Sequence, residues 1–251
     1  MVRLLLLLLG LALPAAAEEV VADLSQDRVS ISTSFSGSEI LIFGAIKRSA
    51  PPPLQPPLAV IVTLEGPDEE VIVRRKDRVA GIWVNVEGIE VERAPSFYAV
   101  ASTRPLEEAL SHTDDLRWRI STAQKLRAID ATSTAVNASA FLDALVRVRQ
   151  AEGVYTRAEG TVQLRDDTLF STQIALPSAL TEGNYETRIF LTRGGRVIDS
   201  YATSIFVSKV GLERFIYGLA HDQPLVYGIL SLVIAIAAGW IASAVFRYIL
   251  P

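Results

Sequence analysis

The segment richest in side chains that could do chemistry is Arg74–Asn85, RRKDRVAGIWVN, which combines cations with glycine and tryptophan. Clustered cations suit a bound anion, or lipid headgroups if the segment lies near a membrane. The alternative is a hairpin with basic residues exposed at a turn and Trp83 buried in the core, and Asp77 neutralises part of the charge. The predicted anion or headgroup contact consists of Arg74, Arg75, Lys76 and Arg78.

Paired carboxylates are the other candidates for chemistry. Glu107-Glu108 and Asp114-Asp115 occur where helices are expected to begin, and negative charge there interacts favourably with the helix dipole. A catalytic or metal-binding pair would need convergent geometry. The chain has two histidines and no cysteine, and it shows no Gly-x-Ser-x-Gly elbow and no glycine-rich phosphate loop. The sequence therefore predicts no catalytic residue, no metal ligand and no cofactor.

The longest apolar stretch near the end of the chain, Leu225–Phe246, has no charged side chain. About 20 such residues, at about 1.5 Å rise each, cross a hydrocarbon core about 30 Å thick. We expect a transmembrane helix over 224–247, a juxtamembrane linker over 209–223 and a cytoplasmic tail over 248–251. Small residues share one face of this helix and predict a helix–helix contact, unless they reflect only the usual composition of membrane helices. They are Gly228, Ser231, Ala235, Gly239 and Ala242.

The beginning of the chain, Met1–Ala17, reads as a secretory signal peptide. One cation, Arg3, precedes the apolar run Leu4–Leu13, and a break at Pro14 is followed by three alanines. The alternative is an uncleaved N-terminal anchor. With the C-terminal stretch, the signal predicts a single-pass protein whose body lies outside the cytoplasm and whose C-terminus lies inside. Arg247 agrees with the positive-inside rule.

Between the two ends the pattern is mainly β. Short strands with period-two alternation and turn residues predict a β-sandwich over 18–104, in which Glu39–Lys47 is an apolar run expected to be buried on both faces. Helical spacing predicts a helical insertion over 105–152, and β patterning returns over 153–208 as a second β-sandwich segment. The later strands form a second sandwich or complete the first sheet. Tyr185, after Gly183-Asn184, is typical of a tyrosine corner, which makes the fold class immunoglobulin-like.

Four stretches carry a family resemblance, at 23–48, 74–85, 94–106 and 224–247. They begin DLSQDRVSIS, RRKDRVAGIW, APSFYAVAST and PLVYGILSLV. Together they resemble the alphaproteobacterial Putative transmembrane protein family, which has no assigned activity. The resemblance covers nearly the whole mature chain and implies a Gram-negative inner-membrane protein with a periplasmic body. It also implies an accessory role beside sulfite-exporter-like permeases. The family offers no catalytic residues.

These observations lead to one main functional expectation and two alternatives. We expect a non-enzymatic, membrane-anchored periplasmic binding or accessory module that contacts the lipid bilayer and an inner-membrane partner such as a transporter. The alternatives are a periplasmic enzyme of the carboxylate or serine hydrolase kind and an envelope structural scaffold. The net charge of −4 and the lack of a long basic run argue against nucleic acid as a partner. Neither the ligand nor the oligomeric state follows from the sequence.

Overall fold

The computed structural model describes residues 18–26, 28–31, 37–49, 51, 55–129, 138–209 and 212–249 of the 251-residue chain. The predicted signal peptide lies outside the described residues, as do the last two residues of the predicted cytoplasmic tail. In the described part, β-strands dominate the body and one long apolar helix follows it, which confirms the mainly β fold class with a C-terminal helix able to span a membrane.

The strands of the described residues form three sheets. One sheet has the order β1-β3-β10-β9, a second has the order β2-β12-β11-β4-β7-β8, and β5 pairs only with β6. β7 and β8 are parallel, whereas β3 with β1 and β10, β10 with β9, β11 with β12 and β4, β4 with β7, and β5 with β6 are antiparallel. The bounds are β1 Glu18–Leu24, β2 Arg28–Ile31, β3 Ser38–Arg48, β4 Leu58–Glu65, β5 Asp68–Val79, β6 Ile82–Pro95, β7 Tyr98–Ser102, β8 Tyr155–Glu159, β9 Gln163–Arg165, β10 Leu169–Leu176, β11 Gly183–Arg193 and β12 Arg196–Lys209.

The two larger sheets contact each other through β1 with β11 and β10 with β7. In β3, the side chains alternate between buried and exposed, so the prediction that Glu39–Lys47 is buried on both faces is wrong. The strands buried along their whole length are β4 and β7, which are neighbours inside the six-stranded sheet. At Gly44 in β3, an added Cβ would lie 2.6 Å from the Phe170 ring, so this close approach needs glycine.

Strands after the helical segment pair with strands before it. β10 pairs with β3, and β11 pairs with β4, so both sheets draw on the two halves of the chain. This pairing favours the alternative in which the later strands complete the first sheet, while the predicted domain boundaries stay a prediction. The Tyr185 side chain is buried and its hydroxyl donates to the Thr181 carbonyl at 2.9 Å, which is the bond expected of a tyrosine corner.

Helices occupy the segment between β7 and β8. They are α1 Leu106–Ala109, α2 His112–Trp118, α3 Thr122–Ile129 and α4 Ala138–Ala151. The side chain of Ser111 caps α2 by accepting from the Asp114 amide at 3.3 Å. Both α3 and α4 contact β6, and α4 also contacts β5, so these helices cover part of the two-stranded ribbon.

Two C-terminal helices belong to a different compact unit from the β-rich body. They are α5 Leu212–Asp222 and α6 Pro224–Ile249. Within Pro224–Val245, an 18-residue stretch of α6 has a mean hydropathy of 2.3 and none of it is buried, so α6 is long and apolar enough to cross a membrane. The segment predicted as a linker over 209–223 contains α5, because Leu212, Phe215 and Leu219 recur at helical spacing.

Candidate functional site

The ribbon of β5 and β6 has a buried base. Val73 pairs with Ile89 and Val71 pairs with Val91 across the ladder, and Ile89 and Val91 are 9% and 2% exposed. Directly paired residues of an antiparallel ladder lie on the same face. This apolar face therefore packs toward α3 and α4, which contact the ribbon.

Beyond its base the ribbon is exposed, which confirms the predicted hairpin. Nearly every described residue over 74–88 is exposed. The turn lies at Ala80 and Gly81, with φ of 50° and 89°, the two positive values of a primed hairpin turn. The placement of Trp83 in the core is wrong, because this side chain is 69% exposed. The helices reach only the base, so within the described chain no apolar surface covers the tip.

A groove of about 470 Å³ lies between β5 and α4. Its apolar part comes from Val73 and from α4 residues at helical spacing, and its cations come from both elements. The lining residues are Val73, Arg74, Arg75, Lys76, Ala140, Phe141, Ala144 and Arg147. Three of the four residues predicted for anion contact therefore meet here, and the fourth, Arg78, lies nearer the tip. Sequence reasoning missed Arg147, because it comes from a helix far away in the sequence.

The cations of this groove are mostly unneutralised. Within the described chain, no ion pair joins Arg74, Lys76 or Arg147 to an acid. Arg75 pairs with Glu87 at 3.3 Å, and both side chains are about half exposed, so water screens this pair strongly. The Arg74 stem passes over Gly88, where an added Cβ would lie 3.3 Å from the Arg74 Cγ. An anion entering the groove therefore meets positive charge on both walls.

Carboxylates collect at the base of the ribbon instead. A hydrogen bond to Glu70 and the charges of Glu70 and Glu92 raise the pKa of Glu90 above its ordinary value. These acids lie on the side of the groove away from the tip. The ribbon is thus negative near the body and positive beyond it.

The predicted carboxylate pairs do not converge on one site. Glu107 accepts from Arg157 at 2.6 Å, and this hydrogen bond lowers the pKa of Glu107. Asp114 accepts from the Val197 amide at 2.7 Å, and Asp115 accepts from the Ser121 amide at 2.7 Å. These bonds tie helices to strands or close helix ends. Among the described residues there is no group of three or more histidines and acids that could hold a metal ion.

The small residues of α6 lie on one helix face, as their spacing requires. All are exposed, and an added Cβ at Gly228 or Gly239 would meet no atom within 4 Å. The Ser231 hydroxyl donates to the Tyr227 carbonyl of its own helix. This satisfies the hydroxyl within the helix and leaves packing as the contribution of this face. The helix–helix contact stays a prediction.

In the part of the chain that the structure describes, a β-rich body is followed by one exposed apolar helix of membrane-spanning length, an arrangement typical of a membrane-anchored protein. The family described as Putative transmembrane protein (Alph_Pro_TM) matches residues 19–248. The chain belongs to this family, as the resemblance predicted, and the family supports a membrane location.

Other comparisons add little. No curated protein matches the chain. Among solved structures, it is similar to the crystal structure of Spo0M, a sporulation control protein from Bacillus subtilis, with 11% sequence identity and a TM-score of 0.30. The match covers 83% of this chain and 56% of the Spo0M chain. At that score the likeness carries no argument about this protein.

Proposed function

We propose that this protein is a non-enzymatic, membrane-anchored binding module whose body takes up a small amphipathic anion in the groove between β5 and α4. The observation that supports this is the combination of unneutralised Arg74, Lys76 and Arg147 with apolar surface from Val73 and Phe141. A volume of about 470 Å³ suits a small organic ligand. The apolar surface takes the hydrocarbon part, and the cations take a phosphate, sulfonate or carboxylate.

The lining also favours binding over hydrolysis. Its described residues are cationic or apolar, whereas the proposed hydrolase would need acids or a serine beside a base. Of the carboxylates considered for catalysis, Glu107 accepts from Arg157, and Asp114 and Asp115 accept from backbone amides. We therefore prefer a binding module to an enzyme.

We further infer that the body lies in the periplasm, that α6 crosses the inner membrane once and that the C-terminus is cytoplasmic. The signal-like pattern of Met1–Ala17 and the cation Arg247 support this orientation. The small-residue face of α6 then contacts an inner-membrane partner such as a transporter, and the module presents its anion to that partner. The immunoglobulin-like description of the body belongs to this proposal, with the Tyr185 bond as its support.

The groove is tested by isothermal titration of naphthalene-1-sulfonate into the full chain in nanodiscs of neutral phosphatidylcholine. Arg147→Gln removes one cation that forms no ion pair in the described chain, so the fold is expected to persist. An ionic contact worth about 1 kcal/mol corresponds to about a fivefold rise in Kd. Ala144→Phe fills the groove and is expected to abolish the binding heat.

The matched control is Arg165→Gln, which makes the same charge change at an exposed residue of β9, outside the groove lining. Its Kd is expected to equal that of the wild type. Equal binding by wild type and both groove variants would show that the sulfonate binds elsewhere. This result would remove the proposed ligand site.

A further inference from the structure

The tip of the ribbon carries an uninterrupted apolar run over residues 79–84, with sequence VAGIWV. Val79 is 51% exposed, Ile82 is 65% exposed and Trp83 is 69% exposed. Arg78 pairs with Trp83 across the ladder, and its Nε donates to the Gly81 carbonyl at 3.3 Å. An isolated two-stranded ribbon is only marginally stable in water, so exposing its largest apolar side chains there is unfavourable without a partner surface.

The turn residue supports the same conclusion. Ala80 has a φ of 50°, a conformation that suits asparagine, aspartate or glycine better than alanine. An asparagine–glycine turn would relieve this strain but would place a polar side chain at the tip. With alanine, the tip stays apolar from Val79 to Trp83 at some cost to the turn. This choice fits a tip that leaves water.

Charge along the ribbon changes sign from the base to the tip. Glu70, Glu90 and Glu92 lie near the body, whereas four cations lie between the base and the apolar tip with two acids, Asp77 and Glu87, among them. These cations are Arg74, Arg75, Lys76 and Arg78. This order attracts an anionic surface to the tip and repels it from the base. Cations behind an apolar wedge match the layering of a bilayer leaflet, with phosphates outside and hydrocarbon inside.

We propose that the tip of this hairpin, Val79–Trp83, inserts into the anionic surface of the bilayer that the same chain spans. Ile82 and Val79 pair across the turn and enter the acyl boundary, and Trp83 lies at the headgroup level. Arg78, which lies outside the groove and pairs with Trp83, contacts lipid phosphates. The hairpin therefore gives the body a second attachment to the membrane besides α6.

A bilayer fits the tip better than a protein partner does. Tryptophan prefers the membrane interface, and cations placed behind an apolar edge meet phosphates without needing a matched acidic surface. The spanning helix also keeps the bilayer within reach of the body, so weak insertion becomes an intramolecular event. The proposal does not depend on the groove ligand or on the side of the membrane where the body lies.

The test uses the natural absence of cysteine from the chain. Ile82→Cys in the full chain, reconstituted in nanodiscs with equal phosphatidylcholine and phosphatidylglycerol, is labelled with a water-soluble maleimide. A tip inserted nine-tenths of the time slows labelling about tenfold relative to a free cysteine. The reference is Ser178→Cys, an exposed loop residue outside the ribbon. We expect the slowing to be smaller in pure phosphatidylcholine, because the phosphate layer then carries no net negative charge.

A second variant separates insertion from local shielding. Adding Val79→Ser and Trp83→Ser to Ile82→Cys removes apolar area from the tip, and labelling is expected to return to the Ser178→Cys rate. Equal labelling rates for Ile82→Cys and Ser178→Cys in the anionic nanodiscs would overturn the proposal. Rapid labelling in nanodiscs together with slow labelling in native membranes would also overturn it, since a protein would then cover the tip. None of these measurements depends on sulfonate binding.

Discussion

Glu18 joins the two large sheets through a buried cluster of charges, and its loss tests how the sandwich is held together. Its carboxylate accepts from the Arg48 Nε at 2.7 Å and from the Arg193 Nη2 at 2.9 Å through both oxygens. Arg48 lies in β3, in the same sheet as Glu18, whereas Arg193 lies in β11 of the other sheet. The three side chains are only 9–12% exposed.

Glu18→Gln keeps the shape of the side chain but removes the anion that two buried guanidinium groups share. Removing one partner of a buried ion pair costs about 3–5 kcal/mol, and the glutamine oxygen still accepts a hydrogen bond, so we expect about 3 kcal/mol. Removing Arg193 as well, in Glu18→Gln with Arg193→Gln, is expected to cost less than the sum of the two single changes. Such coupling is the signature of a direct interaction.

The effect depends on pH in a direction that the cluster determines. Burial acts to raise the pKa of Glu18, but hydrogen bonds from Arg48 and Arg193 outweigh burial and hold this pKa below the ordinary value of 4.5. A group whose pKa is lowered by folding contributes stability that is complete above its unfolded pKa and is lost as the pH falls through its folded pKa. The difference in the free energy of unfolding between wild type and Glu18→Gln is therefore largest at neutral pH and shrinks below about pH 4.5.

The assay is urea unfolding of the full chain in detergent micelles, followed by tryptophan fluorescence. Trp118 reports on the body, because its ring packs edge-on against Phe190 with centroids 5.8 Å apart. Urea is preferred to guanidinium, whose ionic strength screens charges. A loss below about 1 kcal/mol at neutral pH would refute a buried ion pair as the link between the sheets, since exposed pairs contribute that little. If the difference in unfolding free energy between wild type and Glu18→Gln stayed constant from pH 7 to pH 3, the lowered pKa of Glu18 would be refuted.

Three further predictions follow from single contacts. Gly44→Ala brings a Cβ to within 2.6 Å of the Val21 carbonyl oxygen and of the Phe170 ring. It is therefore expected to lower the free energy of unfolding in urea by about 2–3 kcal/mol. The control Gly88→Ala, whose Cβ would have its nearest neighbours at 3.3 Å, is expected to lower it by less than about 1 kcal/mol. Burial raises the pKa of Tyr185 from 10.0 to about 12. The contribution of its hydroxyl to the free energy of unfolding is therefore complete below pH 10 and is lost toward pH 12. Tyr185→Phe is therefore expected to lower the free energy of unfolding by about 1 kcal/mol at neutral pH. The difference in unfolding free energy between wild type and Tyr185→Phe is expected to narrow at alkaline pH, and a constant difference would contradict the raised pKa. Gly239→Leu is expected to abolish co-purification of a membrane partner while the body stays folded. Ala237→Leu, on the opposite face of α6, is expected to leave co-purification unchanged. Equal recovery of the partner with both variants would count against the small-residue face as the contact.

The sequence was most informative where a pattern depends on neighbouring residues. The apolar stretch that became α6, the hairpin around Arg78 and the hydrogen bond of Tyr185 all follow from local composition and spacing. Burial was harder to predict, because it depends on which elements come together. Glu39–Lys47 is as apolar as many central strands, yet β3 has one exposed face, and the strands buried on both faces are β4 and β7.

Trp83 and Arg147 show the same limit at the candidate site. A tryptophan is usually placed in the core, and only the reach of α3 and α4 along the ribbon shows that this one is beyond their cover. The helix of Arg147 holds one other cation, Arg149, which is half-buried and pairs with Glu69 and Glu152, and no local signal in the sequence distinguishes the two. The relation of Arg147 to Arg74 and Lys76 arises from the packing of α4 on the ribbon base.

This packing connects the two proposed activities of the ribbon. The apolar face around Ile89 and Val91 attaches the ribbon base to the helices, so α4 stands beside the first exposed residues of β5 and forms the far wall of the groove. The tip projects about 15–20 Å farther, at about 3.3 Å per residue beyond Arg75. An anchored tip would thus hold the groove close to the headgroup layer. Loosening the base, for example with Val91→Ala, is expected to weaken sulfonate binding and tip protection together, whereas Ala144→Phe is expected to affect only the groove.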